Sequence, residues 1–307
     1  MRQAKTWIGL LIAALLVLVL ANVAVGGFKG PDNAANTANP ANPATPAPAP
    51  QPAAGEGLAV RFVDVGQGDC ALISCGGQNM LIDGGPADAS GTVCQLLQSE
   101  GIDTLDYVVV THPDADHSGG VAAEIGVVQV GAFFSSTTEG GRYTFDNLKR
   151  RLADRGLGIN VPQVGDTLTL GQATVTFVGP VGAFEEENNN SLVLRIDYGA
   201  TSFLFMADAE YAAEMALIDA GANVRATVLK VSHHGSAGAT TRAFLQEVLP
   251  DYAVISVGQN DFGHPKPSVL ERLDWIGARV LRTDESGTIR AQSDGTTVTF
   301  TTEKTAG

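Results

Sequence analysis

A chain of 307 residues has room for one large domain or two small ones. Its 33 acidic against 19 basic side chains give a formal net charge of -14, which argues against a broad, nonspecific grip on nucleic acid. Gly is abundant at 36 residues, as suits a loop-rich α/β fold.

The chain opens on an address. Arg2 and Lys5 precede an uncharged run over 7–28 that only Asn22 interrupts. The positive N-terminal flank predicts export of the remaining chain. Small residues at Ala21 and at Ala24 and Gly26 suit signal cleavage, while a bilayer span takes about 20 apolar residues, nearly the length of the run. Residues 1–28 therefore read as a signal peptide or a transmembrane anchor, and either places the remainder outside the cytoplasm, secreted or held at the membrane. Residues 29–57 are dominated by Pro, Ala and Asn, a composition that buries no core and reads as a disordered spacer.

One domain is expected over 58–302. Strands are predicted at 58–65, 71–75 and 80–83, a helix at 89–100, a strand at 107–111 and a helix at 119–125. A strand at 127–134 and a helix at 144–155 follow. Two hairpins come next, 167–170 with 173–178 around Gly171, and 191–198 with 202–206 around Gly199. A helix at 210–219, a buried strand at 226–231, a helix at 241–248, a strand at 252–257, a helix at 268–276 and short strands to Phe300 complete the chain. Hairpins mixed with helices in both halves suggest an α/β fold of two sheets packed face to face with helices outside, an αββα four-layer sandwich. Of the 3 cysteines, Cys70 reads as a small buried hydrophobe, and Cys75 with Cys94 as a candidate bridge.

The chemistry concentrates in Val108-Val-Val-Thr-His112-Pro-Asp114-Ala-Asp116-His117-Ser-Gly119-Gly120. An apolar, β-branched run ends in two imidazoles and two carboxylates, so the cluster falls on the loop after a strand. These ligand types suit Zn²⁺, Mn²⁺ or Fe, and without a cation the like charges would repel. All 5 histidines lie in three short segments, each after an apolar run: this one, Val231-Ser-His233-His234-Gly-Ser236, and Phe262-Gly-His264-Pro-Lys266. Loops at strand ends are where α/β proteins place their sites. Asp208 closes Ser202-Phe-Leu-Phe-Met-Ala-Asp208, placed either to bridge two metals or to cap the next helix. Asp83 closes Met80-Leu-Ile-Asp83 and reads as a loop-fixing group.

These motifs, with Asp64-Val-Gly-Gln-Gly-Asp69, Leu81-Ile-Asp-Gly-Gly85, Asn189-Asn-Ser-Leu-Val193, Val257-Gly-Gln-Asn260 and Arg282-Thr-Asp-Glu-Ser-Gly287 in order, resemble the metallo-β-lactamase superfamily. Within it they resemble the extracellular hydrolase domain of ComEC-type competence proteins. The resemblance implies that His112 and Asp114 serve one metal and Asp116 and His117 a second, with Asp208 bridging and His234 as the last ligand. Asp114 stands where most of the superfamily has His, and a further superfamily histidine is absent, its region holding Asn189, Asn190 and Ser191. Asp116, His233 and His264 are the candidate proton-transfer groups. Asp64, Asp69, Asp83, Asn190, Ser191 and Lys266 are candidates for supporting the ligands or touching substrate, with Arg282 as a further phosphate contact.

The resemblance implies an extracytoplasmic hydrolase using one or two divalent ions, Zn or Mn, as a phosphodiesterase or nuclease on extracellular DNA related to competence. No protein partner is evident, and the N-terminal segment meets the membrane if uncleaved. The ComEC-type proteins also carry a membrane channel region, so DNA transport is not expected of this chain alone. Two alternatives are a β-lactamase-like amide hydrolase and a non-catalytic surface protein with a degenerate metal site.

Overall fold

The computed structural model describes residues 57–304, so the predicted signal or anchor and nearly all of the spacer lie outside the described residues. Among the described residues no helix is long and apolar enough to cross a membrane.

Strands β1 (Leu58–Phe62), β10 (Thr201–Phe205) and β11 (Val228–Lys230) are buried at every position, which requires cover on both faces. The period-2 alternation of side chains supplies two sets of contacts. From the first sheet, Val60, Phe62 and Ile73 face Val175, Phe177, Leu194 and Phe205 of the second in a shared inner core. Phe62 and Phe205 stack there with ring centroids 5.8 Å apart. The alternate residues Leu72, Leu81 and Val108 pack outward with Val93 and Leu97 of helix α1 (Ser90–Ser99). On the far side Leu204, Leu229 and Ala253 pack with Leu217, Phe244 and Leu273. Helices thus cover both outer faces, and the layers run αββα as the sequence predicts.

The first sheet has eight strands in the order β15-β14-β1-β2-β3-β4-β5-β6. They are β1, β2 (Cys70–Cys75), β3 (Gln78–Gly84), β4 (Thr104–Val110), β5 (Gln129–Ser135), β6 (Ile159–Asn160), β14 (Ile289–Ser293) and β15 (Val298–Thr302). The second has seven, in the order β13-β12-β11-β10-β9-β8-β7. Its remaining strands are β7 (Thr167–Leu170), β8 (Ala173–Gly179), β9 (Val193–Tyr198), β12 (Tyr252–Ile255) and β13 (Arg279–Arg282). Strands β3, β4 and β5 run parallel, and so do β10, β11 and β12. Parallel neighbours end on the same side, so the loops after β3, β4, β10, β11 and β12 gather at one edge of the sandwich. Asp83 stands at the end of β3 itself, and the loops after β4, β10, β11 and β12 carry the 112–117 motif, Asp208, the His233-His234 pair and His264.

Three of the differences from the predicted features bear on the site or the core. The first strand ends at Phe62 rather than 65, because the Gly-rich segment after it leaves the sheet. The helix predicted at 119–125 is two short turns, α2 (Ala115–Ser118) and α3 (Val121–Glu124). Gly119 and Gly120 join them because the backbone passes too close for a side chain: a Cβ at Gly119 would strike Ala115 O, and one at Gly120 would strike Gly84 O. The proposed bridge is absent as well, since all three cysteines are free thiols. Cys75 lies in the inner core between the sheets, whereas Cys94 rides on the outer helix α1.

Candidate metal centre

Backbone geometry delivers the ligands. Asp114 stands at the N-cap of α2 with no side-chain capping bond, which leaves both carboxylate oxygens for other partners. Asp116 and His117 follow in the first turn. Asp208, the other candidate cap, is not one. The amides of Glu210 and Ala213, at the start of α5 (Tyr211–Asp219), are taken at 2.9 and 3.2 Å by Asn189 Oδ1 from a different loop. Helix α4 (Tyr143–Asp154) borders the 112–117 loop from the other side.

Four non-glycine residues at this edge hold left-handed backbone: Asp83 (φ 55°), Ala207 (φ 48°), His233 (φ 47°) and His234 (φ 53°). Each such residue costs about 1–3 kcal/mol and persists only where its surroundings fix it. His233 N–H donates to Ala207 O at 2.8 Å, and Ser232 Oγ donates to Ala209 O. The strain aims consecutive imidazoles at different targets.

The ligand atoms converge on Asp208, which is 3% exposed. Its Oδ1 lies 3.2 Å from His117 Nε2 and 3.7 Å from His234 Nε2, and His234 Nε2 is 3.3 Å from Asp116 Oδ2. Its Oδ2 lies 3.9 Å from His112 Nε2 and 3.5 Å from His233 Nε2. The Nε2 atoms of His112, His117 and His234 and Oδ1 of Asp208 are buried without a hydrogen-bond partner. Leaving four such groups unpaired is expensive unless something absent from the polypeptide satisfies them. Among the described residues three candidate trios have their atoms within 4.8 Å of one another: His112–His117–Asp208 and Asp116–His117–His234 around Asp208, and Asp69–Asp83–His117 behind them. The arrangement fits divalent ions.

A second layer orients the rings. His117 Nδ1 lies 2.9 Å from Asp83 Oδ2, and Asp83 accepts from Thr111 N–H and Oγ1–H at 2.8 and 2.7 Å. His234 Nδ1 lies 2.9 Å from Ser256 O and 3.3 Å from Asp69 Oδ1. Asp69 is held from behind by the buried Lys230 Nζ at 2.7 Å. His233 Nδ1 lies 2.9 Å from Glu210 Oε1. Such partners fix which ring nitrogen faces the centre.

The electrostatics draw in positive charge. Burial disfavours an imidazolium at His234, yet Asp208 and Asp69 together push its pKa up to about 10. His117 is likewise raised against burial by Asp208 and Asp83. His112 is lowered to about 3 by burial and by the neighbouring His117. Burial opposes the charge of Asp208 too, but His117 and His234 hold its carboxyl well below the usual range. Without a metal, protons gather on His117 and His234 beside these carboxylates, in the place a cation would take.

The structure brings His112, Asp116, His117, Asp208, His233 and His234 together, with Asp69 and Asp83 directly behind. Asp114 sits at the rim: its Oδ2 is 3.9 Å from His112 Nε2, but its Oδ1 faces Arg142 at 2.9 Å. His264 packs edge-on to His233 with ring centroids 5.6 Å apart. Burial and the nearby His233 lower its pKa to about 4. Ser191 is fully buried with an unpartnered Oγ.

Other candidates go elsewhere. Asp64 pairs with Lys304 at 3.2 Å and lines a surface cleft with Thr288 and Glu303. Asn190 bonds the backbone of Phe184 in both directions, at 2.9 and 2.8 Å, as a loop staple. Lys266 Nζ donates to Phe262 O at 2.6 Å. Arg282 is engaged by Asp284 and Glu285 at 2.7 and 2.9 Å. Sequence reasoning missed Lys230, Glu210 and Arg142. A lysine inside the apolar run Val228-Leu229-Lys230-Val231 was the available signal for the first.

An αββα sandwich with a buried His/Asp cluster at the strand ends defines an α/β domain built to hold metal ions. The family model of the metallo-beta-lactamase superfamily matches residues 63–259, and the chain belongs to that superfamily. Its members are in general metal-dependent hydrolases. ComE operon protein 3 of Bacillus subtilis (strain 168) is 31% identical over 269 residues, covering 78% of this chain and 34% of that protein. Competence protein ComA of Neisseria gonorrhoeae is 29% identical over 238 residues, covering 76% of this chain and 32% of that protein. The chain thus spans about a third of the length of these curated relatives. Among solved structures, the metallo-beta-lactamase fold protein YhfI from Bacillus subtilis aligns with a TM-score of 0.54 at 13% identity, covering 77% of this chain and all of that one. Tm1679, a metal-dependent hydrolase of the beta-lactamase superfamily, aligns with a TM-score of 0.50 at 11% identity, covering 74% of this chain and 96% of that one. These last two share the fold.

Proposed function

We propose that the domain is an extracytoplasmic metal-dependent phosphodiesterase that cleaves DNA. The observation that carries this reading is the convergence of the buried, unpartnered Nε2 atoms of His112, His117 and His234 on Asp208. Asp116, His117, His234 and Asp208 Oδ1 would hold one ion, and His112, Asp114 and Asp208 Oδ2 a second. Zn²⁺ and Mn²⁺ both suit such imidazole and carboxylate donors. Bound there, the ions would polarise a phosphoryl oxygen and supply a nucleophile at neutral pH.

Two divalent ions bring four positive charges, and Asp114, Asp116 and Asp208 offset three. The net positive centre suits the single negative charge of a phosphodiester. The likeness to competence proteins is in keeping with a DNA substrate. His233 stands beside Asp208 with Glu210 fixing its far nitrogen, so its Nε2 can hand a proton to a leaving oxygen. Asp116, less buried than Asp208, can accept one from the attacking side.

The test is an assay of the protein, stripped of metal and then given Mn²⁺ or Zn²⁺, on single-stranded DNA, a bis-aryl phosphodiester and a β-lactam. Metal-dependent turnover of the two phosphodiesters alone is expected. Turnover of the lactam alone would overturn the substrate class. No turnover of any substrate, with Asp116→Ala binding as much metal as wild type, would overturn the enzyme reading.

A further inference from the structure

Phe262 is a large apolar side chain left 65% exposed beside the candidate metal centre. Its ring stacks on His264, with centroids 5.6 Å apart and planes 27° from parallel. His264 in turn meets His233 at 5.6 Å, and His233 Nε2 is 3.5 Å from Asp208. Two rings in series therefore lead from open solvent to the cluster.

The loop beneath them is braced. Asn260 Oδ1 accepts from His264 N–H at 2.9 Å, while its Nδ2 donates to Gly258 O and His264 O at 2.8 and 2.9 Å. Lys266 Nζ donates to Phe262 O at 2.6 Å, which spends its ammonium on holding the loop. Gly263 turns the chain between the two rings at φ 70°. An exposed phenyl fixed in place by its own loop loses little conformational entropy on meeting a ligand.

We propose that Phe262, stacked on His264, is a platform for an unstacked nucleobase flanking the phosphodiester at the metal centre. This rests on the phosphodiesterase reading and adds to it a residue that selects single-stranded over duplex substrate. A net charge of -14 leaves little general attraction for the phosphate backbone, so contact with bases has to supply affinity. Base stacking on an aromatic ring tolerates every sequence, and its removal weakens binding roughly five- to hundredfold. Bases in a duplex already stack on one another and present no free face.

The test uses the full chain and single-stranded oligonucleotides carrying 2-aminopurine, whose fluorescence is quenched on stacking. Binding to the metal-stripped protein is titrated first, then cleavage with Mn²⁺ is compared with that of an abasic oligonucleotide of equal length. Wild type and Phe262→Trp should quench; Phe262→Ala and Phe262→Leu should not. In cleavage, Phe262→Ala should raise KM roughly five- to hundredfold for the base-containing strand with little change in kcat. It should leave the abasic strand unaffected. Quenching that depends on Phe262 without cleavage by any variant upholds the platform and overturns the nuclease reading. Cleavage by wild type with no quench overturns the platform, as does equal quench and KM in Phe262→Ala. If Phe262→Leu matches wild type, apolar contact replaces stacking and the proposal falls.

Discussion

His117 and Asp83 meet through Nδ1 and Oδ2 at 2.9 Å, and Thr111 donates its amide and its hydroxyl to the same carboxylate. Asp83 thus fixes a ligand ring that it reaches from a neighbouring parallel strand. Asp83→Asn keeps the shape but replaces an acceptor of the imidazole proton. Losing a partner of this kind typically costs 10–100-fold in metal affinity. That loss should appear in a competition titration against a chromophoric chelator; unchanged affinity would remove Asp83 as a positioning residue.

Arg142 Nη2 reaches Asp114 Oδ1 at 2.9 Å and Glu187 Oε2 at 2.6 Å across the rim of the centre. The Arg142 side chain is 44% exposed, so its loss should change stability by about 1 kcal/mol or less. If Asp114 turns to an ion, Arg142 keeps Glu187 but has donor capacity to spare beside a cleft lined by Pro113, Ser136 and Thr137. Arg142→Ala is then expected to raise KM for a phosphodiester about tenfold, the worth of one charged hydrogen bond, while kcat moves less. Steady-state kinetics at two salt concentrations check this. An unchanged KM would leave Arg142 with the loop alone.

The layers, and the placing of the candidate His/Asp cluster at strand ends, were legible because both follow from local pattern. Unbroken apolar runs such as Phe203-Leu-Phe-Met206 demand cover on two faces, and a polar residue close after such a run has to lie at a strand end. What supports the ligands was not legible. Glu210 reaches His233 from the start of α5, and Ser256 serves His234 through a backbone carbonyl that any residue type could provide. Asn189 lies in the segment where the further superfamily histidine is absent. Only the approach of two loops shows that it caps α5, which leaves Asp208 free. The cysteines failed for the same reason, since Cys75 and Cys94 are near in sequence but sit on opposite sides of one sheet.

Lys230 and Asp69 form an ion pair of 2.7 Å with side chains 4% and 8% exposed. Burial alone would raise the Asp69 carboxyl, and Lys230 together with His234 and His117 more than reverses that. Breaking a buried pair by removing one partner typically costs about 3–5 kcal/mol. Lys230→Met should lose that much in equilibrium urea unfolding at pH 7. A loss below about 1 kcal/mol would show that Asp69 finds another counter-charge.

Glu124 presents the opposite case, a carboxyl that the fold keeps neutral. It is fully buried on α3, with both oxygens lacking a hydrogen-bond partner and set close against Gly84 and Gly120. Burial, reinforced by the charge of Asp83, pushes its pKa well above the ordinary value of 4.5. The unfolded chain releases this proton near pH 4.3, whereas the folded one retains it to a much higher pH. Wild type therefore loses stability as pH rises from the unfolded pKa toward the folded one, by about 1.4 kcal/mol per unit. The contribution is fully present only below the unfolded pKa. Glu124→Gln keeps the shape of the neutral acid and has no proton to lose. Its stability relative to wild type should be smallest near pH 4.5 and grow in its favour toward pH 8, read from urea unfolding at several pH values. A difference that stays flat across that window would mean that Glu124 is ionised in the folded protein, with a partner for its charge.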